Sequence, residues 1–307
     1  MRAVVFAYHE IGYVCLQELL RARCDVAAVI THDDDPREEI WFRSVRTLAE
    51  TQALPVFAPE DVNTPMWFER LRGWQPDFLF SFYYRRLLAA EVLAIPRLGA
   101  LNLHGSLLPK YRGRCPVNWV LIHGERETGV TLHYMEAKPD RGDIVAQRAV
   151  PITDDDTART LFAKLTPAAA ALVRDTFPLL CAGTAPRIPQ AHGQASYFGA
   201  RRPEDGRIDW SQGARPLFNL VRAVTHPYPG AFTAWRGRTL YVWDSRPAPA
   251  PGAAAPPGTI VAVHPELHVQ TGDGVLRVLR LQLAGEAERS GAEWAAHHAI
   301  REGERLA

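Results

Sequence analysis

Through the first half of the chain, short runs of consecutive apolar residues alternate with longer stretches in which apolar residues recur every three or four positions. A run with no polar face suits a strand covered on both sides, and the wider spacing suits a helix with one buried stripe. The pattern predicts strands at 3–7, 26–31, 54–57, 78–82 and 100–103, and helices at 14–21, 42–50, 65–72 and 86–93. Their alternation predicts an α/β architecture, a doubly wound and mostly parallel sheet with right-handed crossovers. A strand at 130–135 and an extended segment at 143–151 follow, and Thr153, Asp154, Asp155 and Asp156 then offer N-caps for a long helix reaching about Cys181.

Beyond Gly183 the chain turns to Gly, Pro and Arg, with short alternating runs at 231–235, 239–243, 259–263 and 276–283. These predict a small β-rich domain. The expected organisation is a first domain over 1–183, a linker at 184–204 and a second domain over 205–307. Residues 247–258, mostly Pro, Ala and Gly, lack the large apolar side chains needed to pack and are expected to form a mobile loop.

Composition narrows the function classes. The 35 Lys and Arg nearly cancel the 34 Asp and Glu, so no global basic field draws the chain onto nucleic acid. Four scattered cysteines form neither a CxxC pair nor a disulfide framework, and a reducing cytoplasm is the expected compartment. The opening MRAVVFAYHE is strand-like, with no apolar segment of spanning length behind it, so neither secretion nor a membrane is expected. No GxGxxG follows the first strand and no GxxxxGK[ST] occurs, which argues against nicotinamide enzymes and P-loop ATPases. His9, His32, His123, His133, His192, His226 and the pair His297 and His298 show no metal-ligand spacing, and most of them read as surface or capping residues; no metal is expected.

In doubly wound sheets ligands bind beyond the carboxyl ends of strands. There the chain reads Asn102-Leu-His104-Gly105-Ser106-Leu-Leu-Pro109, and period-two alternation puts Asn102 and His104 on one face. A second segment, Lys138-Pro139-Asp140-Arg141-Gly142-Asp143, follows the strand around His133. If the two strands are neighbours, Asp140 reaches His104. Such a trio suits acyl transfer to a neutral amine: Asn102 would donate to the developing oxyanion, His104 would handle protons and Asp140 would orient it. Spacing alone also fits a plainer reading, in which the pair satisfies loop backbone and Asp140 is a turn residue. Lys110, Arg112 and Arg114 form a short basic loop that suits either a ligand anion or solvent.

The segment 80–88, the run Asn102 to Arg114 and the later Asp140 resemble the formyltransferase family that uses N10-formyltetrahydrofolate. Residues 5–10, 80–88 and 117–120 are similar to its branch acting on UDP-4-amino-4-deoxy-L-arabinose in lipid A modification. The resemblance spans essentially the whole chain and implies that the second domain is a small, OB-like β-barrel. It also implies a catalytic set of Asn102, His104 and Asp140. Arg86, Leu87, Leu88, Arg114, Glu136, Ala137, Lys138, Pro139 and Asp140 would line the folate site. The implied partners are folate and a sugar nucleotide, with no nucleic acid, and either self-association or fusion to a decarboxylase domain. The alternatives are a methionyl-tRNA formyltransferase, whose relatives carry a basic insertion where this chain has acidic residues at 33–39, a formyltetrahydrofolate hydrolase, and a non-catalytic folate or nucleotide binder.

Overall fold

The structure, a computed structural model, describes residues 1–249 and 255–307. The chain forms two compact units. The first holds Met1–Pro116, Glu127–Pro151 and Phe162–Gly199, and the second holds Val117–Arg126, Ile152–Leu161 and Ala200–Ala307.

The expected alternation appears as β1 (Arg2–Ala7), α1 (His9–Arg21), β2 (Asp25–Ile30), α2 (Val45–Thr51), β3 (Val56–Phe57), α3 (Pro65–Gly73), β4 (Phe78–Phe82), α4 (Ala90–Leu93) and β5 (Gly99–His104). After them come β6 (Arg112–Gly113), α5 (Pro116–Ile122), β7 (Glu127–Tyr134), β8 (Ile144–Pro151), α6 (Ala158–Ala182) and β9 (Tyr197–Phe198). One sheet runs β3-β2-β1-β4-β5-β7-β8. Pairings from β3 to β5 are parallel, whereas β7 runs antiparallel to both β5 and β8. Every residue of β4, Phe-Leu-Phe-Ser-Phe, is buried, as a central strand covered on both faces demands. On one face Val4, Phe6, Leu79 and Ala100 pack with Trp67, Leu71, Leu88 and Val92 in a single apolar cluster.

Local chemistry sets the helix ends, and in two places it shifts them from expectation. The Ser44 hydroxyl accepts from the Thr47 amide and caps α2. Ahead of α6 the N-cap is Thr157, whose hydroxyl accepts from the Thr160 amide at 3.3 Å, while Asp156 folds back onto the Thr153 amide at 2.7 Å. The helix expected at 86–93 shrinks to Ala90–Leu93. Asn63 is the reason: its side chain donates to the Leu87 carbonyl at 3.0 Å and accepts from the Ala89 amide at 2.7 Å, claiming backbone groups a helix would have used.

The second unit carries α7 (Ala214–Val224), β10 (Ala231–Trp235), β11 (Arg238–Ala248), β12 (Ile260–Ala262), β13 (Leu267–Gln270), β14 (Val275–Leu283), β15 (Arg289–Ser290) and α8 (Gly291–His297). Its sheet runs β10-β11-β14-β13-β12 with β15 on β14, antiparallel throughout. Register shifts between Val242 and Ser245 bend β11 against β14 and curl the sheet into a half-barrel. Of the expected loop at 247–258, Pro247 and Ala248 instead close β11, and residues 250–254 lie outside the described residues. His297 and His298 meet Glu286, a grouping their spacing had not suggested; its carboxylate also pairs with Arg238 at 3.1 Å and Arg289 at 3.5 Å.

Two imidazoles make the first unit sensitive to acid. His9 is packed among the rings of Trp41, Phe42, Tyr83 and Phe162, and burial, with Arg85 adding to it, lowers its pKa from 6.5 to about 4. Burial likewise lowers His32 to about 4. The unfolded chain takes up these protons near pH 6.5 and the folded chain only near 4. Stability held by the neutral rings is therefore complete above the higher value and declines as the pH falls toward the lower one. Thermal midpoints should drop across this window, and less steeply in His9→Asn, which tolerates the left-handed backbone at φ 67°. Parallel curves for the two proteins would remove His9 from the effect.

Candidate active site

The reversed strand β7 assembles the site. Its register against β5 sets His133 opposite Asn102 and Thr131 opposite His104, so one face of two neighbouring strands presents an amide and two imidazoles. The Asn102 side-chain nitrogen lies 3.2 Å from His133 Nε2. His133 is 1% exposed, and its place here overturns its reading as a surface or capping residue.

Two backbone carbonyls fix where the protons sit. His104 Nε2 is 2.7 Å from the Tyr111 carbonyl, and His133 Nδ1 is 2.7 Å from the Tyr134 carbonyl. A carbonyl only accepts, so each of these ring nitrogens carries hydrogen and donates. In the neutral rings the opposite nitrogens, His104 Nδ1 and His133 Nε2, then bear lone pairs. Through its lone pair His133 accepts from Asn102, which turns the amide so that its second N–H is available to a ligand. Both lone-pair nitrogens lie 3.6 Å from the same oxygen, Oδ1 of Asp140. At 3.6 Å no hydrogen bond joins them, so the arrangement is poised to receive a proton.

Asp140 reaches this position from the loop between β7 and β8. Its backbone is left-handed, φ 58°, and its other carboxylate oxygen accepts from the Gly113 amide at 2.8 Å. Two residues on, a Cβ at Gly142 would lie 2.0 Å from the Tyr134 carbonyl, so only glycine lets the loop fold back this closely. Burial pushes the Asp140 carboxyl upward. The opposing pull of the His104 and His133 rings in their protonated form, together with the Gly113 amide, outweighs it and holds the carboxyl well below the usual carboxylate range.

The segments expected to line a folate site meet here in part. The Arg114 side chain donates to the Arg85 carbonyl at 3.2 Å, joining residues 85–88 to 113–114, which the Gly113 amide joins to Asp140. Glu136, Ala137, Lys138 and Pro139 lie exposed along the same loop, and Leu87 is 72% exposed. Leu88 points into the core, and Arg86 donates to the carbonyls of Pro59 and Glu60. Arg112 departs from the solvent- or ligand-facing loop proposed for it. It is 1% exposed, its guanidinium donating to Gln190 Oε1, the Tyr197 hydroxyl and His192 Nδ1. Gln190 was not singled out from the sequence, where an isolated glutamine carries no signal. His133 could have been found by alternation, being two residues from Thr131 on a strand already assigned. Beside the site, a Cβ at Gly105 would lie 2.0 Å from the Tyr83 hydroxyl oxygen.

Residues 3–176 match the family described as formyl transferase, and residues 201–299 match formyl transferase, C-terminal domain. Among solved structures, an N-formyltransferase from Helicobacter canadensis in complex with folinic acid and dTDP-3-aminofucose aligns with a TM-score of 0.72 at 20% identity, covering 90% of this chain and 98% of that one. The sugar 3N-formyl transferase WlaRD, with dTDP and 5-N-formyl-THF, aligns at 0.71 and 20% identity, covering 94% and 99%. Methionyl-tRNA formyltransferase from Clostridium thermocellum aligns at 0.56 and 17%, covering 80% and 93%. At such identities these likenesses concern the fold.

The depressed Asp140 carboxyl carries a stability signature. Its contribution is present above the usual value of 3.8 and is lost as the pH falls toward the folded value. Asp140→Asn should therefore be less stable than the parent at pH 7 by denaturant titration, and the gap should close below pH 4. A gap of constant size down to pH 3 would show that the imidazoles do not hold the carboxylate.

Proposed function

We propose a specific reaction for a chain that belongs to the formyl transferase family: transfer of a formyl group from N10-formyltetrahydrofolate to the amine of a nucleotide-linked sugar, with UDP-4-amino-4-deoxy-L-arabinose the particular acceptor. The observation that carries this reading is the convergence of the Asn102 amide, the His104 lone pair and the Asp140 carboxylate on one strand-end face. The fold shared with N-formyltransferases bound to a folate together with dTDP-3-aminofucose or dTDP supports it.

In this reading the acceptor nitrogen attacks the formyl carbon, and the carbonyl electron pair moves to oxygen. The remaining N–H of Asn102 stabilises that oxyanion. His104 Nδ1 takes the proton released by the new ammonium, and the imidazolium so formed lies beside the Asp140 carboxylate. When the tetrahedral adduct collapses, the same proton passes to N10 of the departing tetrahydrofolate. The products are the formamide and tetrahydrofolate, with atoms and charge balanced. His133 keeps the Asn102 amide oriented as donor throughout.

Arg114 and residues 85–88 and 136–140 form the folate side of the site in this proposal, through backbone groups and the exposed Leu87 rather than through the buried Leu88. A sugar nucleotide is favoured over transfer RNA by the segment after β2, where Asp33, Asp34, Asp35, Glu38 and Glu39 stand with Arg37 alone among them and offer no basic run to track an RNA backbone.

Release of tetrahydrofolate, followed with UDP-aminoarabinose, a dTDP-aminosugar, charged initiator tRNA or no acceptor, tests the reading. Turnover should depend on an aminosugar nucleotide, and His104→Ala should lower it by about 10²–10⁴-fold while the protein stays folded. Equal release without acceptor would make the chain a hydrolase, and turnover with tRNA alone would replace the sugar acceptor.

A further inference from the structure

The buried pair Arg112 and Gln190 lies outside the reacting groups and is joined to them by hydrogen bonds. Gln190 Nε2 donates to the carbonyls of Asp140 at 3.0 Å and Gly142 at 2.7 Å, the two residues flanking Arg141 in the turn that delivers the carboxylate. Its Oε1 accepts twice from Arg112, from Nε at 3.2 Å and from Nη2 at 2.5 Å. Because guanidinium only donates and carbonyls only accept, the amide has one possible orientation, and all four of its hydrogen-bonding positions are used. Arg112 is itself held by the Tyr197 hydroxyl at 2.7 Å and by His192 Nδ1 at 3.0 Å. Next to it in sequence, the Gly113 amide binds the Asp140 carboxylate directly.

We infer that Gln190, anchored by Arg112, is a positioning residue that clamps the turn around Asp140 and so sets the separation between that carboxylate and the imidazoles of His104 and His133. Three observations support it. The turn is left-handed at a non-glycine residue, a conformation that persists only where the surroundings impose it. Gln190 is 6% exposed, so water does not replace it. Arg112 has a buried charge whose contacts at this end go to one amide oxygen, which fixes that amide and with it the two loop carbonyls. Nothing in the family match assigns a role to either residue.

The kinetic half of the test rests on the transferase reading above, whereas the spectroscopic half does not. Gln190→Glu separates a clamp from a mere anchor. The glutamate still accepts from Arg112, but it presents an oxygen to the carbonyls of Asp140 and Gly142 and donates to neither. In the folded variant kcat should fall on the order of 10–10²-fold, as expected for a misplaced catalytic group, with the acceptor KM within about twofold of the parent's. Followed by carboxyl ¹³C NMR, Asp140 should show no titration between pH 7 and 3 in the parent and a titration inside that window in the variant. If the glutamate yields too little folded protein, Gln190→Met, of similar length and uncharged, should give the same two changes. Parent-like kcat, or an unmoved Asp140 titration, overturns the inference. Should the parent turn over none of the acceptors, the transferase reading fails, and the titration alone decides the role of Gln190.

Discussion

A single, largely buried carboxylate beside two imidazoles is the constraint to which the rest of this site answers. Taking a carboxylate out of water is costly unless donors and nearby positive charge replace its hydration. Around the Asp140 carboxylate they come from two stretches of chain, the Gly113 amide and the rings on β5 and β7, while Gln190 holds the backbone carbonyl of the same residue. The left-handed backbone at Asp140 and the glycine at 142 are consequences of bringing the group inward from a surface loop.

Reversal of β7 is the second element of the design. Running antiparallel, β7 sets Asn102 and His133 side by side as a cross-strand pair, and the loop that follows folds back at Gly142 to bring Asp140 to the same patch. Fixed carbonyls at Tyr111 and Tyr134 then set both tautomers without help from solvent. The donor and acceptor pattern of the site is thus a property of the backbone as much as of the side chains.

The sequence made the parallel half of the sheet legible because those strands are apolar without interruption; β4 begins and ends where the run Phe78–Phe82 does. Strand periodicity put Asn102 and His104 on one face and a turn-prone context brought Asp140 into view, but spacing alone fitted a plainer reading, and the family resemblance is what singled the three out as a set. Long-range interactions account for what was missed. Asn63 dissolves most of a helix predicted after Tyr84, and Arg112 is drawn inside by Gln190, a residue distant in sequence and bland in type. The apolar stripe Leu217, Phe218, Val221 and Val224 of α7 was readable but went unread, because the surrounding Gly and Pro suggested only strands.

The contact between Tyr83 and Gly105 bears on how such a site changes over evolutionary time. Any side chain at 105 displaces the Tyr83 hydroxyl, and the Tyr83 ring leans on His9 and Phe162 at the ends of other elements. A side chain at 105 therefore requires the Tyr83 ring to shift, so the two positions are coupled, and a library that varies the strand-end motif at 105 samples it most fully when 83 varies with it.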